Sequence, residues 1–401
     1  MQAVILSFDS LAANSLGCYG NEWIETPHLD RLAANGIVFD RHFADTVGPS
    51  AGLAWTNGRH ALLKSNTVET YSLGKLLRSG GVATRFVTTT AQRAWPPLAE
   101  FDQTLAVECS DDAEVLPDEV PIARLVKAGL KTWQDDGFQN TSRLMWIHAP
   151  QPGIPPQGFD SLYFEDFEER GQTFEEISDE DRANHPAVYA GSVSLIDHWI
   201  GELITGMSTL EQSVPTLFIV TAARGHLWHR IESFDSMSKI EDRPLLTDQI
   251  IRTPLILNMA GDPRFTDFGS LRSDRLVQTC DLVPTLADWF GLKFSTGNAS
   301  PVSQSWLREL TEEIPARTTI LVGDEQTSDA VRTMDWLCIR DRSAKPIGQS
   351  SDVNVTGRAY LYSKPEDVWD VDEIASQQPE IVNELLNRSV AIDPINQAPS
   401  A

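Results

Sequence analysis

At three places in the chain, chemically capable side chains follow directly on short runs of apolar, β-branched and aromatic residues. Asp9 follows Ala3-Val4-Ile5-Leu6-Ser7-Phe8, His148 closes residues 143–148, and Arg224 and His226 follow residues 216–221. Such runs read as strands, and in open α/β sheets chemistry gathers outside the carboxyl ends of the strands. Asp9, His148 and the segment 221–226 can therefore share one crevice despite their separation in sequence. Asp9 offers a carboxylate to a cation and His148 a proton donor or acceptor. Arg59, His60, His148, Arg224 and His226 supply the donors of an anion pocket. A hydroxyl beside a helix start commonly caps that helix, and Ser50 reads as an N-cap. His226 and His229 form an H-x-x-H pair, but no carboxylate accompanies them in that loop, so the spacing alone does not make a zinc site.

The elements that must position these residues alternate. Strands are expected at residues 3–8, 83–88, 143–148, 216–221 and 253–258, and helices at 72–78, 189–204 and 282–290. Residues 27–39 place Leu29, Leu32, Ala33 and Ile37 at helical spacing and meet Gly36 near the end, which reads as a helix with a glycine stop. Alternation of this kind predicts an α/β fold: a large, mostly parallel sheet flanked by helices on both faces. After about Gly291 the pattern changes to short strands at 318–322 and 336–339 and a helical tail at 379–387, a smaller C-terminal α+β subdomain. The expected division is 1–290 and 291–401. Residues 151–181, rich in Pro, Gly and acidic side chains, read as a surface excursion, and residues 391–401 as a frayed end.

The chain has 401 residues, of which 41% are hydrophobic and 22% charged, so it can bury a substantial core. No stretch approaches the roughly 20 apolar residues needed to cross a bilayer. The N-terminal residues lack the basic start and long apolar run of a secretory signal, which predicts a cytoplasmic protein. The formal net charge of -25 repels nucleic acid and anionic membrane surfaces alike, so neither is an expected partner. Cys18, Cys109, Cys280 and Cys338 form no CxxC pair and read as buried small hydrophobes.

The run Ser7-Phe8-Asp9-Ser10-Leu11, then Leu16-Gly17-Cys18-Tyr19-Gly20, Thr26-Pro27-His28-Leu29-Asp30-Arg31-Leu32-Ala33 and Gly36-Ile37-Val38-Phe39, resembles the opening of sulfatases, of the alkaline-phosphatase-like superfamily. Tyr189 to Asp197 is similar to that family's central helix, and Arg252-Thr253-Pro254-Leu255-Ile256 to the strand after its metal loop. Cys280-Asp281-Leu282-Val283-Pro284-Thr285-Leu286, Gly291, and Ala330-Val331-Arg332-Thr333 with Trp336 extend the resemblance over nearly the whole chain. It implies in-line attack on a sulfate or phosphate ester by an activated oxygen nucleophile beside a divalent cation. The family's C-x-P-S-R corresponds here to Val47-Gly48-Pro49-Ser50-Ala51, so Val47 stands at the nucleophile and Ala51 at the following Arg. Valine has no oxygen or sulfur to attack with. Asp9 matches one metal-ligating acid and Ser10 stands at its neighbour, while Ala223 and Arg224 replace two further ligands. His148 corresponds to a histidine directed at the leaving group.

The expectation is a sulfatase-like protein from a lineage of sulfuric-ester hydrolases whose catalysis is impaired or lost, retaining at best the binding of an anion, a carbohydrate or a partner. Its ligand would be a sulfated or phosphorylated small molecule or carbohydrate, and it would carry no cofactor. The alternative is an active, divergent hydrolase of sulfate or phosphate esters with Thr46 or Ser50 as a relocated nucleophile. Only that alternative calls for calcium or magnesium. Arg224 is further expected either to occupy or border the vacated metal position and pair with Asp9, directly or through water, or to turn outward into solvent with Asp9 satisfied by backbone N–H groups, and Val47 to be buried or to wall the floor of the crevice.

Overall fold

A computed structural model describes residues 1–48, 50–62, 72–92, 101–109, 116–139, 142–156, 158–159, 161–164, 185–208, 214–227, 245–265, 269–294, 303–311, 314–343 and 357–392. It contains an eight-stranded sheet, and β1 (Gln2–Ser10), with its apolar run Ala3–Leu6, lies in the middle of it. The other strands are β2 (Ile37–Phe43), β3 (Ala83–Thr89), β4 (Gln103–Val107), β5 (Arg143–Ala149), β6 (Thr216–Arg224), β7 (Leu255–Ala260) and β8 (Leu271–Gln278). Their order is β4-β3-β5-β1-β6-β7-β2-β8. The β4-β3-β5-β1-β6 block is parallel, whereas β7 pairs antiparallel with β6 and with β2. The sheet is thus mostly parallel, and β1 is buried at nearly every position, as expected where both faces are covered.

Val4, Leu6 and Phe8 alternate onto one face and share a core with the helices Pro27–Ala34, Pro121–Trp133 and Pro186–Ser208. Asp197, buried in the last of these helices, caps the first: its carboxylate accepts the His28 N–H at 3.0 Å and the Leu29 N–H at 2.7 Å.

The expected helix over 27–39 ends at Ala34, and Ile37–Phe39 open β2 instead. Gly36 makes the switch: a Cβ there would lie 2.2 Å from the Leu257 carbonyl oxygen, so only glycine lets the chain enter the antiparallel Ile37↔Leu257 and Val38↔Ile256 pairing.

The second sheet has four antiparallel strands in the order β12-β11-β10-β9: β9 (Ile320–Gly323), β10 (Ser328–Arg332), β11 (Trp336–Asp341) and β12 (Arg358–Ser363). Leu321, Val331, Cys338 and Leu361 take one face with Val382, Leu385 and Leu386 of the helix Pro379–Ile392. Ile320, Val322, Ala330, Leu337 and Ile339 take the other, with Phe43, Val47 and Ile251.

The chain forms two compact units. The first is Met1–Asp40, Leu77–Ser238 and Pro254–Ser273; the second is Arg41–Leu76, Lys239–Thr253 and Asp274–Ala401. Cys280 and Cys338 are buried and Cys18 and Cys109 half-buried, all as free thiols. Most of 151–181 lies outside the described residues, although Tyr163 and Phe164 are buried. The tail helix reaches Ile392, so residues 391–392 are helical and the remainder of 391–401 lies outside the described residues.

Candidate functional site

β1 and β5 run parallel with Ser7 opposite His148. Side chains alternate along a strand, so Ser7 shares a face with Asp9 and Trp146 with His148. In this setting the His148 Nε2 lies 3.0 Å from Asp9 Oδ1 and its Nδ1 2.8 Å from Ser7 Oγ, while the Trp146 indole N–H donates to Ser7 Oγ at 2.7 Å. A carboxylate only accepts, so Nε2 carries the imidazole proton, and the Ser7 hydroxyl donates in turn to Nδ1. The result is one directional chain, Trp146 to Ser7 to His148 to Asp9. The His148 side chain is fully buried with Phe86 stacked beside it, whereas the Asp9 side chain is 39% exposed. Of this pair, the carboxylate is the part that solvent reaches.

On the other side of β1, Ser10 pairs with Arg224 of β6. The Ser10 hydroxyl donates to the Gly225 carbonyl at 2.7 Å, so His226 Nδ1, 3.2 Å away, acts as donor to Ser10 Oγ. His226 stacks flat on Tyr189, ring centroids 4.6 Å apart. Burial and the Arg224 charge hold its pKa down at about 4, so the imidazole is neutral at neutral pH. Burial pushes the Tyr189 phenol up to about 12, and its oxygen accepts the Ala12 N–H at 3.1 Å.

Of the two arrangements expected for Arg224, the outward one is found. Its side chain is exposed and forms no ion pair with Asp9, whose carboxylate is instead held by His148. The strand ends there with Arg224 exposed, and an exposed cation carries the smaller desolvation cost. Ala223 is buried and offers no donor. Among the described residues no group of three or more His, Cys, Asp or Glu is placed to hold a metal ion. His229 lies outside the described residues.

The remaining expected residues belong to the second unit. Thr46 is bridged to Gly323, which fixes the loop: Val47 N–H donates to the Gly323 carbonyl at 3.0 Å and Thr46 Oγ1 lies 2.9 Å from the same oxygen. Val47 is 5% exposed and packs with Phe43, Ala44 and Ile251 against β9 and β10. Ser50 does not cap a helix. The helix Ala54–Asn57 starts after Leu53 with no side-chain cap, and Ser50 bonds to Glu325 instead, its N–H to Oε1 at 2.9 Å and its hydroxyl to Oε2 at 2.8 Å. Glu325 Oε1 also lies 3.0 Å from Thr46 Oγ1.

His60, expected in an anion pocket, is buried: Nδ1 accepts the Leu62 N–H, which leaves Nε2–H to donate to the Leu321 carbonyl at 2.8 Å. Burial lowers its pKa as well. Arg59 is half-buried, and its Nη2 has no hydrogen-bond partner among the described residues. Two cavities are lined by none of the expected site residues. One, of about 290 Å³ in the first unit, is lined by Trp133, Met207 and Phe218; the other, of about 680 Å³ in the second, by Arg275, Arg317 and Trp336.

The sulfatase family profile matches residues 2–292. The chain belongs to the sulfatase family. A stretch of 91 residues is 35% identical to arylsulfatase H of Homo sapiens, covering 21% of this chain and 16% of that protein. A stretch of 41 residues is 46% identical to the steryl-sulfatase of Mus musculus, covering 10% and 7%. The chain thus spans less than a fifth of the length of these curated relatives. The fold is similar to the phosphonate monoester hydrolase of Agrobacterium radiobacter (TM-score 0.72, 13% identity, 98% of this chain and 95% of that one). It is similar also to a protein solved in complex with its substrate D-glucosamine-2-N,6-O-disulfate (TM-score 0.70, 14% identity, 98% of each chain). At such identities the likeness is one of fold.

Around these sulfatase positions the sequence carried readable signals for Ser7 and Trp146, which lie two residues before Asp9 and His148 and therefore on their faces. It carried none for Glu325, which reaches the Thr46–Ser50 loop from a turn 275 residues beyond Ser50.

Proposed function

We propose that this sulfatase-family chain has lost the family's hydrolase chemistry and uses the exposed Arg224, beside neutral His226 at the strand ends, to bind an anionic small molecule or sulfated carbohydrate. The observation that carries this reading is Val47: a buried, atom-inert side chain stands in an apolar cluster at the position matched to the nucleophile. The neighbouring hydroxyls do not replace it. Thr46 and Ser50 bond to the Gly323 carbonyl and the Glu325 carboxylate, and no histidine hydrogen-bonds either of them among the described residues.

The donor set also does not fit the family's divalent cation. Calcium and magnesium need several oxygen ligands and charge neutralisation. Here Asp9 Oδ1 accepts from His148, the Ser10 hydroxyl donates to Gly225, Ala223 has no donor and Arg224 brings positive charge. Two structural neighbours were solved in complex with D-glucosamine-2-N,6-O-disulfate and with k-i-k-neocarrahexaose, which motivates a sulfated-carbohydrate ligand here.

The intact Asp9–His148 pair favours a second reading, a divergent hydrolase of sulfate or phosphate esters. A panel of aryl sulfate, phosphomonoester and phosphodiester substrates, with calcium, magnesium or manganese added, separates the two. The expected result is no turnover above the uncatalysed rate, together with binding of glucosamine 6-sulfate that weakens in Arg224→Ala. Turnover that is lost in both Asp9→Ala and His148→Ala would establish the second reading instead.

A further inference from the structure

The turn between β9 and β10 is built around one carboxylate. Glu325 has φ 68, the left-handed region that favours glycine. Asp324 holds it there, its Oδ1 accepting the N–H groups of Gln326, Thr327 and Ser328 at 2.8 Å and its Oδ2 the Thr327 hydroxyl at 2.8 Å. Facing the turn, Gly48 leaves the space the carboxylate needs: a Cβ there would lie 2.6 Å from the Asp324 carbonyl oxygen and 2.9 Å from Glu325 Oε1. Into that space Ser50 directs its N–H and its hydroxyl, one to each Glu325 oxygen, and Thr46 Oγ1 approaches the first of them. Strain held at a residue that bonds to a distant loop points to a role beyond closing the turn.

Backbone and hydroxyl donors converging on two oxygens of one anion are the contacts that bind free oxyanions. We infer that Ser50 and Thr46 form an oxyanion site, for sulfate, phosphate or carboxylate, that the chain's own Glu325 carboxylate occupies. Glu325 itself is exposed, so the site opens to solvent when its side chain leaves. This inference concerns the second unit alone and does not depend on ligand binding at Arg224.

Glu325→Gly removes the carboxylate and relieves the backbone, because glycine adopts positive φ freely. Thermal unfolding would be followed in sodium sulfate and in sodium formate, each against sodium chloride at equal ionic strength. The expected result is a saturable rise in Tm of roughly 1–3 °C in Glu325→Gly with either ion. The wild type and the Ser50→Ala/Glu325→Gly double variant should show no rise. An equal response in the wild type, no response in Glu325→Gly, or a response that survives Ser50→Ala would each overturn the inference. Should Glu325→Gly not fold, Glu325→Asn, the side chain best tolerated in the left-handed region, takes its place with the same outcomes.

Discussion

Arg224 and Arg317 are two cations of one chain in opposite situations. Arg317 is 7% exposed and meets the fully buried Asp281 with two nitrogens, at 2.9 and 2.8 Å. Removing one partner of such a pair leaves an uncompensated buried charge, so Asp281→Ala is expected to destabilise the fold by about 3–5 kcal/mol. Arg224 is exposed and unpaired with Asp9, and Arg224→Ala is expected to change stability by no more than about 0.5 kcal/mol. Denaturant midpoints of the two variants measure this contrast. A loss of several kcal/mol in Arg224→Ala would mean that its charge compensates a buried carboxylate after all. The sequence did not separate the two arginines, because burial of a cation depends on whether the fold brings a carboxylate to it. Arg317 and Asp281 meet across 36 residues of chain, and nothing in local spacing announces that.

Among the elements, the short helix Trp306–Thr311 carries Glu309, which is 6% exposed and has no hydrogen-bond partner for Oε2 among the described residues. Burial, reinforced by Asp281 and opposed by Arg317 and Arg275, raises its pKa from 4.5 to about 7. The folded state therefore binds this proton more tightly than the unfolded state. The associated stability is fully present below about pH 4.5 and lost as pH rises through about 7. Glu309→Gln keeps the neutral shape at every pH. Relative to it, the wild type is expected to lose up to roughly 3 kcal/mol between pH 5 and pH 8, read from chemical denaturation at the two pH values. A constant difference across that range would show that Glu309 ionises freely in the fold.

Elements with one dominant physical cause were legible: β1, β5 and β6 as continuous apolar runs, and the helix Pro186–Ser208 by its apolar length. The strands β2 and β8 were not, since Asp40, Arg41, Arg272, Asp274 and Arg275 break the apolar pattern. The sheet's antiparallel flank tolerates charge that a buried parallel strand does not. The helix Pro121–Trp133 was readable from Ile122, Leu125, Val126, Gly129 and Trp133, with proline at its first position, and was not among the expected elements.

At the scale of the whole molecule, the chain keeps the sulfatase fold, and the loss of the donor set that organises the family's chemistry is the proposal to be tested. Two compact units, each assembled from three stretches of chain, keep their cores. The first places Asp9, His148, Arg224 and His226 at the strand ends, and the second buries Val47. Val47, Ala223 and Arg224 are legible in the sequence as residue types, whereas the hydrogen bonds that use Asp9 Oδ1, Ser10 and Ser50 depend on residues that the fold brings together from far along the chain. No helix among the described residues is long and apolar enough to cross a membrane. The large negative charge attracts divalent cations non-specifically, so a test for a metal site must distinguish one position from the general field. Thermal unfolding of the wild type and of Asp9→Ala in millimolar calcium, magnesium or manganese, against chelator, makes that distinction. A site at hundredfold excess over Kd would add about 2.7 kcal/mol of stability. The expected result is the same small response in both proteins; stabilisation of that size in the wild type, absent from Asp9→Ala, would contradict the proposed loss of the metal centre and with it the proposed loss of hydrolase chemistry.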